Sequence, residues 1–208
     1  MSRSSRALLA LAALLLAVAW ARPLWRIDLV APQYPEGLGM YIWIDTITGA
    51  KPNDLQSINR LNHYIGMREI HPESIPELRI MPALVGGVMA LGLLAALVGR
   101  RPLLYLWTAL FALLAVAGLA DFWRWGYDYG HNLDPAAAIQ VPGMAYQPPL
   151  IGTKQLLNFQ ATSWPATAGW AMVLALAIGV ALCVREYRRS RGPRATATST
   201  RAALQFAA

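Results

Sequence analysis

"IMPALVGGVMALGLLAALVGRRPLLYLWTALFALLAVAGLADF", residues 80–122, holds two apolar runs separated by a pair of arginines. A helix needs about 20 apolar residues to cross about 30 Å of hydrocarbon, since each residue rises about 1.5 Å. Residues 80–99 and 103–122 both reach that length, and neither carries a charge inside its apolar core. The Arg100–Arg101 turn is too short to do more than reverse the chain. The stretch therefore predicts two antiparallel spanning helices. A third run of the same character, "TAGWAMVLALAIGVALCV", occupies 167–184. With 56% hydrophobic and only 14% charged residues, the chain reads as a multi-span membrane protein.

The first 22 residues, "MSRSSRALLALAALLLAVAWAR", combine a basic start, an apolar run and a small-x-small triplet, Ala19-Trp20-Ala21. That pattern fits a cleaved signal peptide or a retained signal anchor. The expected fold class is mainly α and integral to the membrane. It is a four-helix transmembrane bundle, three if the N-terminal segment is cleaved, with two extracytoplasmic loops forming a small α/β-type cap. The first loop spans 23–79, the second 123–166, and a basic tail, 185–208, is expected to be disordered.

Charge gives the expected orientation. Arg3 and Arg6 precede the first apolar run, Arg100 and Arg101 fill the tight turn, and Arg185, Arg188, Arg189, Arg191 and Arg194 follow the last run. Glu186 is the one acid among them; every other acid lies in or at the edge of the two long loops. The positive-inside rule then places both chain ends in the cytoplasm of a bacterial inner membrane and both long loops in the periplasm. The net charge of +7 reads as retention charge facing membrane lipid, not as a nucleic-acid footprint. The single cysteine, Cys183, excludes an intrachain disulfide.

In the first loop, "GLGMYIWIDTITG" predicts a strand or hairpin over about 38–48. Asn53 or Asp54 can cap a following helix with Leu55, Ile58, Leu61 and Ile65 on one face and Gly66 as its left-handed end. The second loop opens with Trp123, Trp125, Tyr127 and Tyr129, an interfacial aromatic belt. It continues dense in Pro and Gly, but too apolar for a free linker, and is expected to pack on the first loop.

No phosphate-binding glycine loop, nucleophile elbow or CxxC pair is present, and no ionisable group lies mid-span. Haem, flavin and nucleotide cofactors, catalytic residues and an ion-coupled transporter therefore lack a foothold. All three histidines, His63, His71 and His131, lie in the loops with Met40, Met67 and Met144. Imidazole with thioether suits Cu(I), and imidazole alone suits Cu(II) or Zn(II). His63, Met67, His71, His131 and Met144 are the candidate metal ligands, with Asp121, Asp128 and Asp134 as residues that could orient an imidazole. Met40, alternating within a strand, reads as packing. The same histidines equally suit ordinary structural roles in a metal-free docking module. An electron-transfer subunit handling quinol beside Asp121 and His131 is a further, enzymatic alternative. Gly86, Gly87 and Gly92 allow close helix approach, within the monomer or in a homo-oligomer.

Four strings, "LNHYIGM" (61–67), "PESIPELRI" (72–80), "DFWRWGYDYGHNLDP" (121–135) and "VPGMAYQPPLIGTKQLLNF" (141–159), resemble a family of small multi-span membrane proteins. That family accompanies nitrous oxide reductase genes in bacteria with the atypical, Sec-exported form of the enzyme. The resemblance spans roughly 32–165. It implies an accessory role for a periplasmic copper enzyme, with copper bound transiently and handed to that enzyme or to a copper chaperone.

Overall fold

The computed structural model describes residues 1–191. The described residues are mainly helical, with four helices long and apolar enough to cross a membrane and one small antiparallel sheet. The long helices are α1 (Arg3–Leu15, tightening to a 3-10 turn over Leu16–Trp20), α3 (Pro76–Val98), α4 (Arg101–His131) and α5 (Thr167–Arg191). The shorter α2 spans Asp54–Ile65. Of the tail expected to be disordered, residues 185–191 continue α5, and 192–208 lie outside the described residues.

Helix α1 packs on α3 and α5, and α4 packs on the same two, so each helix runs antiparallel to both of its neighbours. The bundle core gathers Leu9, Ala12 and Leu16 of α1 with Val85, Ala95, Leu104, Phe111, Ala175 and Leu182. Its centre is Trp107, fully buried, whose indole N–H donates to the Val88 carbonyl at 2.9 Å. A Cβ on Gly92 would lie 2.6 Å from that indole nitrogen, and one on Gly179 would lie 2.7 Å from the far ring edge. Gly92 thus serves packing within the chain, while a Cβ on Gly87 would meet nothing within 4 Å. The outward faces stay apolar: Leu97, Leu113 and Val116 are 74%, 65% and 64% exposed. Such a surface is compatible with a multi-pass membrane protein.

One end of the bundle is basic and is tied together by Glu186. That carboxylate is 1% exposed. It accepts from the Ser5 hydroxyl at 2.7 Å and from Arg101 Nε at 3.0 Å, which joins α1, α4 and α5. Arg6 donates to the Ala96 and Leu97 carbonyls, covering unpaired acceptors at the end of α3.

The sheet lies at the opposite end. Its strands are β1 (Trp25–Ala31), β2 (Tyr34–Ile42), β3 (Ile47–Gly49), β4 (Gly152–Leu156) and β5 (Phe159–Pro165), in the order β3-β2-β1-β5-β4. The expected hairpin over 38–48 is present as the β2–β3 pair, but β2 begins earlier and also pairs with β1. The second loop supplies β4 and β5, a hairpin the Pro- and Gly-rich reading missed. Strand β1 pairs with β5 from Trp25↔Pro165 to Val30↔Gln160, joining the two loops in one ladder. The ladder meets the bundle where Ala166 N–H donates to the Leu24 carbonyl and Ala168 N–H to that of Pro23.

Replacing Glu186 with Ala removes two hydrogen bonds made to a buried charge, although the Ser5 hydroxyl keeps the Ser2 hydroxyl at 2.9 Å and Arg101, partly exposed, rehydrates. The expected loss is about 1–3 kcal/mol, read as a lower thermal midpoint in detergent. Arg189→Ala, whose Nη1 is 3.9 Å from the same carboxylate and half-exposed, should change the midpoint little.

Candidate functional site

Helix α2 ends where the sequence places its end. Gly66 takes φ +80°, its N–H donates to the His63 carbonyl and Met67 N–H donates to that of Asn62. This pair of bonds is the Schellman closure of a helix. The start differs from expectation. Asn53 sits in the left-handed region without a side-chain cap, and the Asp54 carboxylate instead accepts from the Gly39 and Lys51 amides, tying α2 to β2.

The reversal at Gly66 separates the candidate ligands on its two sides. His63 is exposed and sits edge-on to Tyr64. Met67 turns inward and packs against Ile58, Ile70 and their neighbours. His71, in extended backbone before Pro72, has its two ring nitrogens 3.3 Å from Glu69 and 3.6 Å from Glu73. His131 stacks on Tyr127 at 3.9 Å, with Nδ1 3.0 Å from the Tyr127 carbonyl. Met144 is half-buried in the turn after Val141. Asp128 pairs with Arg68 and accepts from Asn132, and Asp134 accepts from the Ala136 amide. Asp121 and His131 lie on one helix, roughly 15 Å apart along its axis. Among the described residues, no three His, Cys, Asp or Glu side chains come together as a metal-holding group.

What the residues do build is a cavity of about 760 Å³ between the sheet, α2 and the end of α4. Ile27 and Met40 present the sheet, Ile58 and Leu61 present α2, and Phe122, Trp125 and Tyr129 present α4. Met40, read as packing, is buried in this wall. The α4 wall exists because the helix continues to His131 instead of ending near 122. Its aromatic residues divide by helical spacing. Trp123, Tyr127 and His131 stack in an exposed column, while Trp125 stacks on Tyr129 at 4.0 Å on the cavity side. That spacing is legible in "FWRWGYDYGH" once the run is taken as helix.

The last wall is the segment after α4. Its Asp134 N–H donates to the Gly66 carbonyl, and its Tyr146 N–H donates to the Gly130 carbonyl. Both crossings need glycine: a Cβ on Gly66 would lie 2.9 Å from the Asp134 oxygen, and one on Gly130 would lie 2.4 Å from the Gln147 nitrogen. Tyr146, pressed down by the second crossing, is 2% exposed and stacks on Phe159. Its hydroxyl has no hydrogen-bond partner among the described residues. Burial pushes the phenol pKa above its ordinary value, so the group is a neutral donor at pH 7. Sequence reasoning passed over Tyr146 because a lone tyrosine in a Pro-rich stretch carries no motif.

Comparison with protein-family models, with curated proteins and with solved structures finds no match to this chain.

Gly66→Ala should cost more than about 1 kcal/mol, since it meets both a left-handed backbone and the Asp134 oxygen. The measurement is the thermal midpoint beside Gly87→Ala, where a Cβ enters open space and the midpoint should hold or rise.

Proposed function

We propose that the protein is an integral membrane accessory protein of a bacterial inner membrane, with both ends cytoplasmic and the sheet layer forming a periplasmic cap. In this reading the cap docks a periplasmic copper enzyme, by resemblance nitrous oxide reductase. One observation carries it: the two loops are joined by the β1–β5 ladder into one folded layer, while the bundle core is filled by Trp107 and its neighbours. A closed apolar bundle offers an anchor, and a built layer offers a surface. The separation of the arginine-rich end from the sheet end supports the orientation.

The surface favoured for docking surrounds Tyr64 and Ile139, 54% and 48% exposed, which adjoin through the Ile139 N–H to Tyr64 carbonyl bond. An exposed Tyr beside an aliphatic chain suits the centre of a protein interface. The partner is tested directly. Purified nitrous oxide reductase should be retained by the immobilised, detergent-solubilised protein, and a Tyr64→Ala, Ile139→Asp double variant should lose most of that retention at an unchanged thermal midpoint. Equal retention by the variant defeats this surface, and no retention by the wild type defeats the docking reading.

Copper hand-off is the second reading, favoured by the exposure of His63 and His131. Ligands that lie open to solvent can be attacked by an incoming acceptor, which a transfer step requires. Titration with Cu(I) against a competing chelator should then show saturable uptake of about one equivalent, the stoichiometry of a single transfer site. That uptake should collapse in a His63→Ala, His131→Ala double variant. An absence of uptake leaves the metal-free docking module.

A further inference from the structure

The cavity is not explained by docking or by copper. Its volume, about 760 Å³, falls in the range of small-molecule sites, roughly 300–1,000 Å³. It opens to solvent past Gln33, Arg60, Tyr64 and Ile139, while its deeper walls offer water few of the two to four polar partners an ordered buried water needs. Most of the lining is aliphatic or aromatic, and the buried polar side-chain group left without a partner among the described residues is the Tyr146 hydroxyl. The cavity therefore fits a ligand that is apolar over most of its surface and has one neutral polar group.

Two features narrow the class. The rings of Phe122, Trp125, Tyr129, Tyr146 and Phe159 come from three different parts of the chain and converge on one space, which favours a flat, conjugated body over a flexible acyl chain. The one cationic residue of the lining, Arg60, is exposed on α2, so no buried cation waits for a phosphate or carboxylate. A phenol O–H with no acceptor matches a ring carbonyl. Phe122 and Trp125 follow directly on the apolar run of α4, which puts the cavity beside the boundary where a spanning helix leaves hydrocarbon.

We propose that this cavity is a binding site for a membrane-soluble quinone, with the ring among these aromatic side chains and one carbonyl accepting a hydrogen bond from the Tyr146 hydroxyl. The proposal concerns binding alone. From the reading above it takes only the placement of the helices in the bilayer; Tyr64 and Ile139, which also line the rim, are left unchanged in its tests, so its failure is distinguishable from that of docking or copper.

Two substitutions isolate the site. Tyr146→Phe deletes the unpaired hydroxyl and keeps the ring. Gly126→Leu fills the space: Gly126 is buried and lines the cavity, yet a Cβ there would meet nothing within 4 Å. The full chain in detergent is titrated with decylubiquinone and followed by tryptophan fluorescence quenching, with bound quinone extracted and counted. Thermal midpoints establish that each variant is folded. The wild type should bind saturably at about one quinone per chain, as one cavity of this size allows. Tyr146→Phe should weaken binding about 3- to 10-fold, the worth of one hydrogen bond, without lowering the midpoint. Gly126→Leu should abolish saturable binding. The proposal is overturned if the wild type binds no quinone, or if folded Gly126→Leu binds as the wild type does. Equal affinity in Tyr146→Phe overturns the assigned hydrogen bond. Displacement of the quinone by equimolar palmitate or phosphatidylglycerol overturns the ring assignment in favour of an acyl-chain site.

Discussion

The pairing of β1 with β5 is the constraint on which the sheet layer depends. A two-stranded hairpin is marginal in water, and each loop taken alone offers little more: β1–β2–β3 from one, β4–β5 from the other. The ladder from Trp25↔Pro165 to Val30↔Gln160 turns these pieces into five strands with a common buried face. It is also fixed at its base. Strand β1 leaves the end of α1 and β5 enters α5, two helices already packed on each other, so their strands emerge side by side. Bundle packing thus sets which strands meet, and the Ala166 to Leu24 and Ala168 to Pro23 bonds set the register.

The spans were readable because hydropathy is a local property of about 20 residues. The end of α2 was readable for a similar reason: Gly66 is required by the chain reversal itself. The β1–β5 ladder was hidden, since its partners lie near opposite ends of the described chain and neither strand carries a signal naming the other. The reach of α4 was hidden for a different reason. A search for lipid-facing residues stops at Asp121, whereas the helix continues for as long as its aromatic residues find partners on both sides, Tyr127 outward and Tyr129 inward.

The soft-ligand reading shows the limit of counting residue types. His63 and Met67 are four apart, a spacing that shares one face if the helix continues and is lost when it ends between them. Gly66 ends it, and the backbone bond from Met67 to Asn62 turns the thioether towards the sheet while the imidazole stays outside. His71 and His131 are then engaged by their immediate neighbours, Glu69, Glu73 and Tyr127. The residue that geometry does single out, Tyr146, has no distinctive sequence context. It stands out in the fold because its hydroxyl is buried with no hydrogen-bond partner among the described residues.

Helix α4 connects these parts mechanically. Its 31 residues make a rod of roughly 46 Å, about 16 Å longer than the hydrocarbon thickness a span must cross. The surplus stands inside the sheet layer, with the Trp123–Tyr127–His131 column on one side and the cavity wall on the other. The segment that closes the cavity is pinned twice, to Gly130 on this rod and to Gly66 at the end of α2, and between those pins it carries Ile139 to the side of Tyr64. Tyr64 and Ile139 of the proposed docking surface therefore also stand at the rim of the cavity, so the two proposed sites share this short stretch of backbone.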